Sequence, residues 1–241
     1  MIYSFKQGEL TCIKKIFGLE NLHGVGTPLW AGFFDKRRLL NSGVIEKHNK
    51  EYVFTSLYKE LFNEWTNMDY IITFFGQGKY EVDKHVLMTN SRRIITLEED
   101  LDIAMVGYYY NEAIGLRNYI IDHLNVRFDL KAPKEMKFRI VLNKNDYELF
   151  MKCDDNLFAK LSEEHNVHQS IFNMYVNKLK SKNVLKTIMC KDVKTSNRMK
   201  VDLVSDKNAN YILKKKFIND EELYVLSICD SEILPFEIQN I

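Results

Sequence analysis

The order of predicted elements repeats in this sequence. An amphipathic helix at residues 55–67 precedes four short strands that end near residue 109, and residues 167–183 begin the same order again, ending near residue 229. A helix stripe and a half-buried strand each need a second apolar surface to cover them. The pattern therefore predicts an α+β fold, with antiparallel meander sheets flanked by helices in quasi-two-fold helix-plus-four-strand units. The alternative is that helix and meander recur by chance, because the two copies share no residue-level identity.

In the first copy, the predicted helix carries one continuous apolar stripe on a single face. The stripe consists of Leu57, Tyr58, Leu61, Phe62 and Trp65. The predicted strands are Tyr70–Phe75, Tyr80–Met88, Arg93–Leu97 and Leu101–Tyr109. The breaks between them are short enough for hairpins, which favours a meander over crossed connections.

The second copy follows the same pattern. Its helix stripe consists of Ile171, Phe172, Tyr175 and Leu179, and its predicted strands are Leu185–Val193, Arg198–Val204, Tyr211–Phe217 and Glu222–Cys229. Met199, Val201 and Leu203 alternate with Lys200 and Asp202, which is typical of a strand with one buried face. The run 214–216 consists of three lysines inside a predicted strand, so these side chains cannot all point the same way. On an edge strand such charges would discourage unwanted sheet pairing.

Length and composition favour one folded body. The chain has 241 residues, 46% of them hydrophobic, and its three prolines do not mark a flexible linker. We therefore expect a single compact α+β domain over residues 1–241, with pseudo-symmetric halves at 1–130 and 131–241. No apolar run approaches the roughly 20 residues needed to cross a bilayer. The first residues also lack a secretory signal, so we expect a cytoplasmic protein without membrane insertion.

The sequence contains no recognisable catalytic constellation. Its cysteines are Cys12, Cys153, Cys190 and Cys229. They lack the spacing of zinc or redox motifs, which predicts buried thiols. His165 and His168 are three apart, whereas a zinc-binding helix usually presents histidines four apart. We therefore predict a protein that is not an enzyme, with no catalytic residue, cofactor or metal site, although a triad assembled only in three dimensions stays open.

The first third of the chain allows a second interpretation. Leu10, Ile13 and Phe17 predict a helix that ends at Gly18, and a second helix is expected around Phe33–Leu40. An extended chain or hairpin over residues 44–55 then leads into the helix at residues 55–67. Two helices, a ribbon and a further helix also describe a winged-helix DNA-binding module.

The alternative function is therefore a transcriptional regulator that binds DNA through residues 1–67. Lys36, Arg37 and Arg38 in the second helix partly satisfy its need for basic side chains. Glu60 and Glu64 oppose contact with phosphates, and a net charge of only +1 argues against nucleic acid as a partner.

One family resemblance covers most of the chain. The motifs Tyr3-Ser4-Phe5, Glu9-Leu10, Leu39-Leu40 and Gly43-Val44-Ile45, followed by the Trp65 helix and a meander, resemble the EspG-like secretion chaperones. These include the EsaE-type accessory proteins of bacterial type VII secretion. The resemblance implies a cytosolic chaperone or adaptor that binds a type VII-secreted substrate or toxin and keeps it soluble. It also implies delivery of that partner to the secretion machinery and its ATPase.

Such a chaperone needs an exposed aromatic or apolar surface on a rigid scaffold. We predict that Tyr108, Tyr109 and Tyr110 bind the partner, because aromatic rings bury a large area with few rotatable bonds. The alternative is that these tyrosines close the sheet against a helix at Glu112–Leu124.

Overall fold

The structure is a computed structural model that describes residues 1–19, 22, 33–76, 84–100, 103–110, 129–181, 186–218 and 221–239. The chain forms two compact units, the first from Met1–Ile71 and Lys84–Gly115 and the second from Ile72–Asp83 and Leu116–Ile241. The single domain over residues 1–241, with halves at 1–130 and 131–241, stays a prediction. The predicted helix at Glu112–Leu124 lies outside the described residues.

The first unit combines helices with antiparallel strands. Its described elements are β1 (Ile2–Lys6), α1 (Gln7–Phe17), α2 (Phe33–Asn41), β2 (Ile45–His48), β3 (Glu51–Phe54), α3 (Ser56–Thr66), β5 (Lys84–Thr89), β6 (Arg93–Asp100) and β7 (Ile103–Tyr110). Strand β4 (Tyr70–Gly76) begins in this unit. The sheet runs in the order β1, β7, β6, β5, all antiparallel, and β2 and β3 form a separate ribbon.

Two glycines set helix ends in this unit. Gly18 follows α1 with φ 64°, and Gly43 follows α2 with φ 72°; both are left-handed conformations that glycine adopts without a Cβ clash. The backbone N–H of Lys6 donates to Glu9 Oε2 at 2.7 Å, which satisfies a donor at the start of α1. Thr55 Oγ1 donates to the Gly43 carbonyl at 2.8 Å and so ties the start of α3 to the turn that follows α2.

Helix α3 covers the inner face of the sheet. Leu61, Phe62 and Trp65 are almost completely buried, and the Phe62 ring lies 5.8 Å from that of Phe5 on β1. Each such side chain contributes about 1.5–3 kcal/mol of apolar burial. Leu57 was predicted in the stripe, but it is 52% exposed. At about 100° per residue it lies roughly a quarter turn from the centre of the buried face.

The second unit places three helices before its meander. Its described elements are β8 (Phe138–Asn143), α4 (Lys144–Met151), α5 (Asp155–His165), α6 (Gln169–Lys180), β9 (Lys186–Asp192), β10 (Arg198–Ser205), β11 (Asn210–Ile218), β12 (Glu221–Cys229) and α7 (Leu234–Gln239). The strand order is β9, β10, β11, β12, β8, all antiparallel. Side chains of Asn143 and Asp154 cap α4 and α5 by accepting from backbone N–H groups at 2.9 Å.

The core of the second unit is aromatic. Phe172 and Tyr175 of α6 are completely buried, and the Phe172 ring lies 5.3 Å from that of Phe138 on β8. The Tyr175 hydroxyl donates to the Ile212 carbonyl on β11. Because this hydroxyl is paired, α6 is fixed against the sheet without a buried unsatisfied group.

The predicted fold class is confirmed, with one correction to the charged strand. The described parts of the predicted helices and strands match α3, α6 and strands β4–β7 and β9–β12 to within a few residues. Strand β11 pairs with β10 on one side and β12 on the other, so its lysines do not protect a sheet edge. Lys214 is completely buried and forms an ion pair with Glu237 of α7.

Candidate functional site

The three tyrosines predicted to bind a partner lie in different environments. They are consecutive on β7, and successive side chains of a strand point to opposite faces. Tyr108 is only 6% exposed and belongs to the core of the first unit, whereas Tyr109 is half-buried. Tyr110 is 64% exposed at the end of the strand. Partner binding by the three stays a prediction, and Tyr110 is the one with most of its ring accessible.

A polar network holds this end of β7 against α3. The Tyr108 hydroxyl donates to Glu60 Oε1 at 3.0 Å, and Arg93 Nη2 donates to the same oxygen at 2.6 Å. The Arg93 guanidinium lies 3.6 Å from the centre of the Tyr110 ring, which is a cation–π contact. The exposed Tyr110 ring therefore packs against the Arg93 guanidinium, which is held in place by Glu60.

The network also fixes the protonation states of its members. Burial and the hydrogen bond to Glu60 raise the pKa of Tyr108 well above its usual range, so its hydroxyl remains a donor. The hydrogen bonds from Tyr108 and Arg93 lower the pKa of Glu60, so its carboxylate remains ionised. No local sequence pattern indicates this network, because Arg93 and Tyr108 lie 33 and 48 residues after Glu60.

A groove runs beside α3 in the first unit, with a volume of about 530 Å³. Its lining residues are Leu19, Phe54, Ser56, Lys59, Glu60, Phe62, Asn63 and Thr66. Five of the six lining residues from α3 are polar, and they lie three apart or adjacent along the helix, so one face of the helix forms a polar wall. Glu60 belongs to both the groove and the tyrosine network, which places the groove next to Tyr110. We call the groove residues together with Arg93 and Tyr110 the α3 surface.

Phe54 and Phe62 form the apolar floor of the groove, and they belong to a longer row of aromatic rings. The Phe54 ring stacks on Phe17 at 3.8 Å and on Phe62 at 4.6 Å, and Phe62 stacks on Trp65 at 5.9 Å. Stacked rings have little freedom to rotate, so the floor is a preformed apolar surface below a polar wall. It can bury an apolar side chain while the wall forms hydrogen bonds.

A second, polar cleft lies in the second unit, with a volume of about 710 Å³. It is lined by Lys134, Glu135, Lys137, Ser162, His165, Asn166, Val167 and His168. His165 ends α5, and the side chain of His168 caps α6 by accepting from the Ser170 N–H. Among the described residues no three His, Cys, Asp or Glu side chains are placed to hold a metal ion together. The histidines are therefore explained by the helix ends.

Two of the three basic residues predicted to contact DNA, Lys36 and Arg38, are engaged within the first unit, and Arg37 is exposed. Arg38 pairs with Asp35 at 2.5 Å and with Glu9 at 3.4 Å. Lys36 lies over the Tyr52 ring, 4.1 Å from its centre. These contacts tie α2 to α1 and to the ribbon, so the structure gives the winged-helix alternative no additional support.

Comparisons by sequence do not place the chain: no protein-family model and no curated protein matches it. Its structure, however, is similar to that of the Mycobacterium tuberculosis type VII secretion system chaperone EspG5, solved in complex with a PE25–PPE41 dimer. The TM-score is 0.57 at 7% identity, over 100% of this chain and 95% of that chain. The chain has the EspG fold. The predicted EspG-like resemblance and the α+β class are thereby confirmed at the level of the fold.

The likeness to EspG5 extends over both described units, because the match covers the whole of this chain.

No helix among the described residues is both long and apolar enough to span a bilayer.

Proposed function

We propose that this protein is a cytoplasmic chaperone or adaptor that binds a type VII-secreted protein substrate or toxin, keeps it soluble and brings it to the secretion machinery. The observation that carries the proposal is the α3 surface on an EspG fold: an aromatic-floored groove beside a braced, exposed tyrosine. The neighbour EspG5 is a secretion chaperone with a bound PE25–PPE41 dimer, which supports a protein partner here.

The chemistry of the α3 surface suits protein recognition. Tyrosine and arginine are enriched among the residues that dominate binding energy, and Tyr110 and Arg93 form such a pair at the rim. Glu60 orients Arg93, so little conformational freedom is lost when a partner binds. A client that covers Phe54 would bury apolar surface of its own, which is how a chaperone prevents aggregation.

This role needs binding and release, and no covalent step. We therefore propose that the protein acts without a catalytic residue, metal or cofactor. The secretion ATPase is proposed as the destination of the complex rather than as a contact of the α3 surface.

The test is affinity purification of the tagged protein from its native cytosol, followed by a wash at high salt and mass spectrometry. We expect one secreted-type protein at fixed stoichiometry to survive the wash. Asn63→Arg, which places a bulky cation in the groove, should reduce its recovery at least about tenfold, the loss of a single hot spot. Asn156→Arg is the matched control, because Asn156 is an exposed helical asparagine outside the α3 surface.

Tyr110→Ser provides a second probe of the rim, with Tyr70→Ser as its control on another exposed tyrosine. Equal recovery of the client by the Asn63→Arg and Asn156→Arg variants would remove the α3 surface from the proposal. Recovery of DNA that is lost at high salt, with no protein client, would favour the winged-helix regulator instead.

A further inference from the structure

The second unit contains a buried charge in an apolar row. Lys214 lies at the centre of β11 with 0% of its surface exposed. The register places Val225 and then Val141 beside it on one side, and Val201 on the other. Paired residues of antiparallel strands share a face. Lys214 therefore lies in a cross-strand row in which the neighbouring strands carry valines.

One short helix supplies the partner of this lysine. Glu237 of α7 forms an ion pair with Lys214, and its other oxygen lies 3.4 Å from Arg139 Nε on β8. Leu234, three residues before Glu237, is completely buried. Three residues are about one helical turn, so the leucine and the carboxylate point to the same sheet face. Burial lowers the pKa of Lys214, and the hydrogen bond to Glu237 opposes that effect.

A buried ion pair is a weak way to gain stability. Apolar side chains of similar volume are often at least as stabilising, whereas a buried charge that loses its partner is strongly unfavourable. The pair does specify what can cover this part of the sheet: the covering element must bring a carboxylate to Lys214. Arg139 and Lys216 add positive charge beside it, so an acidic element is favoured.

Helix α7 is short. It has six residues, and Phe236 within it and Ile233 just before it are 56% and 44% exposed. Its Glu237 binds the sheet through ion pairs with Lys214 and Arg139. Six residues are far fewer than an isolated helix needs to be stable, so α7 depends on these contacts.

We propose that α7 is a displaceable cover, and that the surface beneath it binds an amphipathic helix of a partner protein that carries a carboxylate three residues after a large apolar side chain. We call this surface the α7 seat; it comprises Lys214, Val225 and Arg139, together with Val141, which lies beside Val225 and is 53% exposed. The partner helix repeats the two contacts of α7 and adds length, so it binds at the expense of α7. This proposal concerns the second unit and does not depend on the α3 surface.

The first test measures release of α7 in the full chain. The thiols of Cys190 and Cys229 are buried in the second unit, near enough to Lys214 for its charge to affect the pKa of both. Glu237→Gln removes the carboxylate, and opening of α7 then lets water reach Lys214. We expect both thiols to react with an alkylating reagent about tenfold faster or more. Glu232→Gln, an exposed glutamate before α7, is the matched control and should leave the rates unchanged.

Cys12 serves as an internal control, because it is buried in the first unit. Unchanged reactivity of Cys12 in the Glu237→Gln variant distinguishes opening of α7 from general unfolding. The double variant Lys214→Met, Glu237→Leu replaces the ion pair with apolar contact and should restore slow alkylation of Cys229. Wild-type rates in the Glu237→Gln variant would overturn the proposal.

The second test asks what the α7 seat binds. A fluorescent peptide of residues 230–241 should bind the Glu237→Gln protein at least about tenfold more tightly than wild type, because the competing α7 is weakened. The same peptide with Glu237→Gln should lose this affinity. Equal binding of the two peptides, or dimers of the Glu237→Gln protein by light scattering, would overturn the assignment to an acidic partner helix. Client recovery in the Asn63→Arg experiment is a separate readout, so the two proposals can fail independently.

Discussion

Gly107 explains at residue scale how the Tyr109 ring is half-buried. A Cβ at this position would lie 2.3 Å from Thr96 Oγ1 and 2.4 Å from the Tyr109 ring. The Tyr109 ring therefore folds back over the glycine on the face opposite Tyr108. The sequence shows three identical neighbours. The pleat separates Tyr109 from Tyr108 and Tyr110, which share a face, and Tyr110 is exposed at the end of the strand.

We predict that Gly107→Ala lowers the free energy of unfolding by about 1–3 kcal/mol, the usual cost of overpacking. Urea unfolding checks this value. In a Tyr109→Ala background the same substitution should cost less, because the ring that it displaces is gone. An equal cost in both backgrounds would show that Tyr109 does not fold over Gly107.

The Glu60 network predicts a specific pH dependence. Glu60 has a lowered pKa in the folded protein, so its contribution to stability is present above the unfolded pKa and is lost as the pH falls through the folded pKa. The stability difference between wild type and Glu60→Gln should therefore be greatest near neutral pH and disappear in acid. Denaturant unfolding between pH 3 and 7 tests this, with exposed Glu51→Gln as the control. A difference that is independent of pH would contradict the network.

At the scale of elements, the sequence predicts those helices and strands whose apolar pattern depends on neighbouring residues. The stripes of α3 and α6 and the alternation in β10 depend on neighbouring residues, and these elements were predicted nearly to their ends. Strand β1 was not predicted, because it is defined by pairing with β7, about a hundred residues away. The same holds for β8, whose partner is β12. Burial of Lys214 was also not predictable, since its counter-ion comes from α7.

Helix ends are the other local feature that the sequence predicts. Gly18 has φ 64° after α1, and nothing lies within 4 Å of where its Cβ would be. Gly18→Ala should therefore cost about 1–2 kcal/mol through backbone strain alone. Gly18→Asn should cost less, because asparagine tolerates the left-handed region. Thermal unfolding of the two variants checks the order, and a larger loss for asparagine would exclude backbone strain as the cause.

At the scale of the whole molecule, the two units use one device with opposite charges. In the first, Glu60 of α3 pairs with Arg93 and accepts from Tyr108. In the second, Lys178 of α6 pairs with Asp206 at 2.6 Å, and the Tyr211 hydroxyl donates to Asp206 at 3.3 Å. Each unit thus fixes its helix to its meander by an ion pair shared with a tyrosine. The quasi-two-fold order is therefore visible in structural roles even though residue identity between the copies is absent.

The prediction of one domain leads to a test of cooperativity. The boundary between the units, Ile71 to Ile72, falls inside strand β4, so separating them would break a strand. We therefore predict a single unfolding transition for residues 1–241. Ile228→Val in the second core should lower stability by about 0.5–1.5 kcal/mol. With Trp30→Phe as background, Trp65 fluorescence reports on the first core. The unfolding midpoint measured by Trp65 fluorescence should shift together with the midpoint measured by circular dichroism. In one cooperative transition, the stability lost in the second core lowers the midpoint at both probes. A Trp65 midpoint that stays in place would mean two independently folding domains.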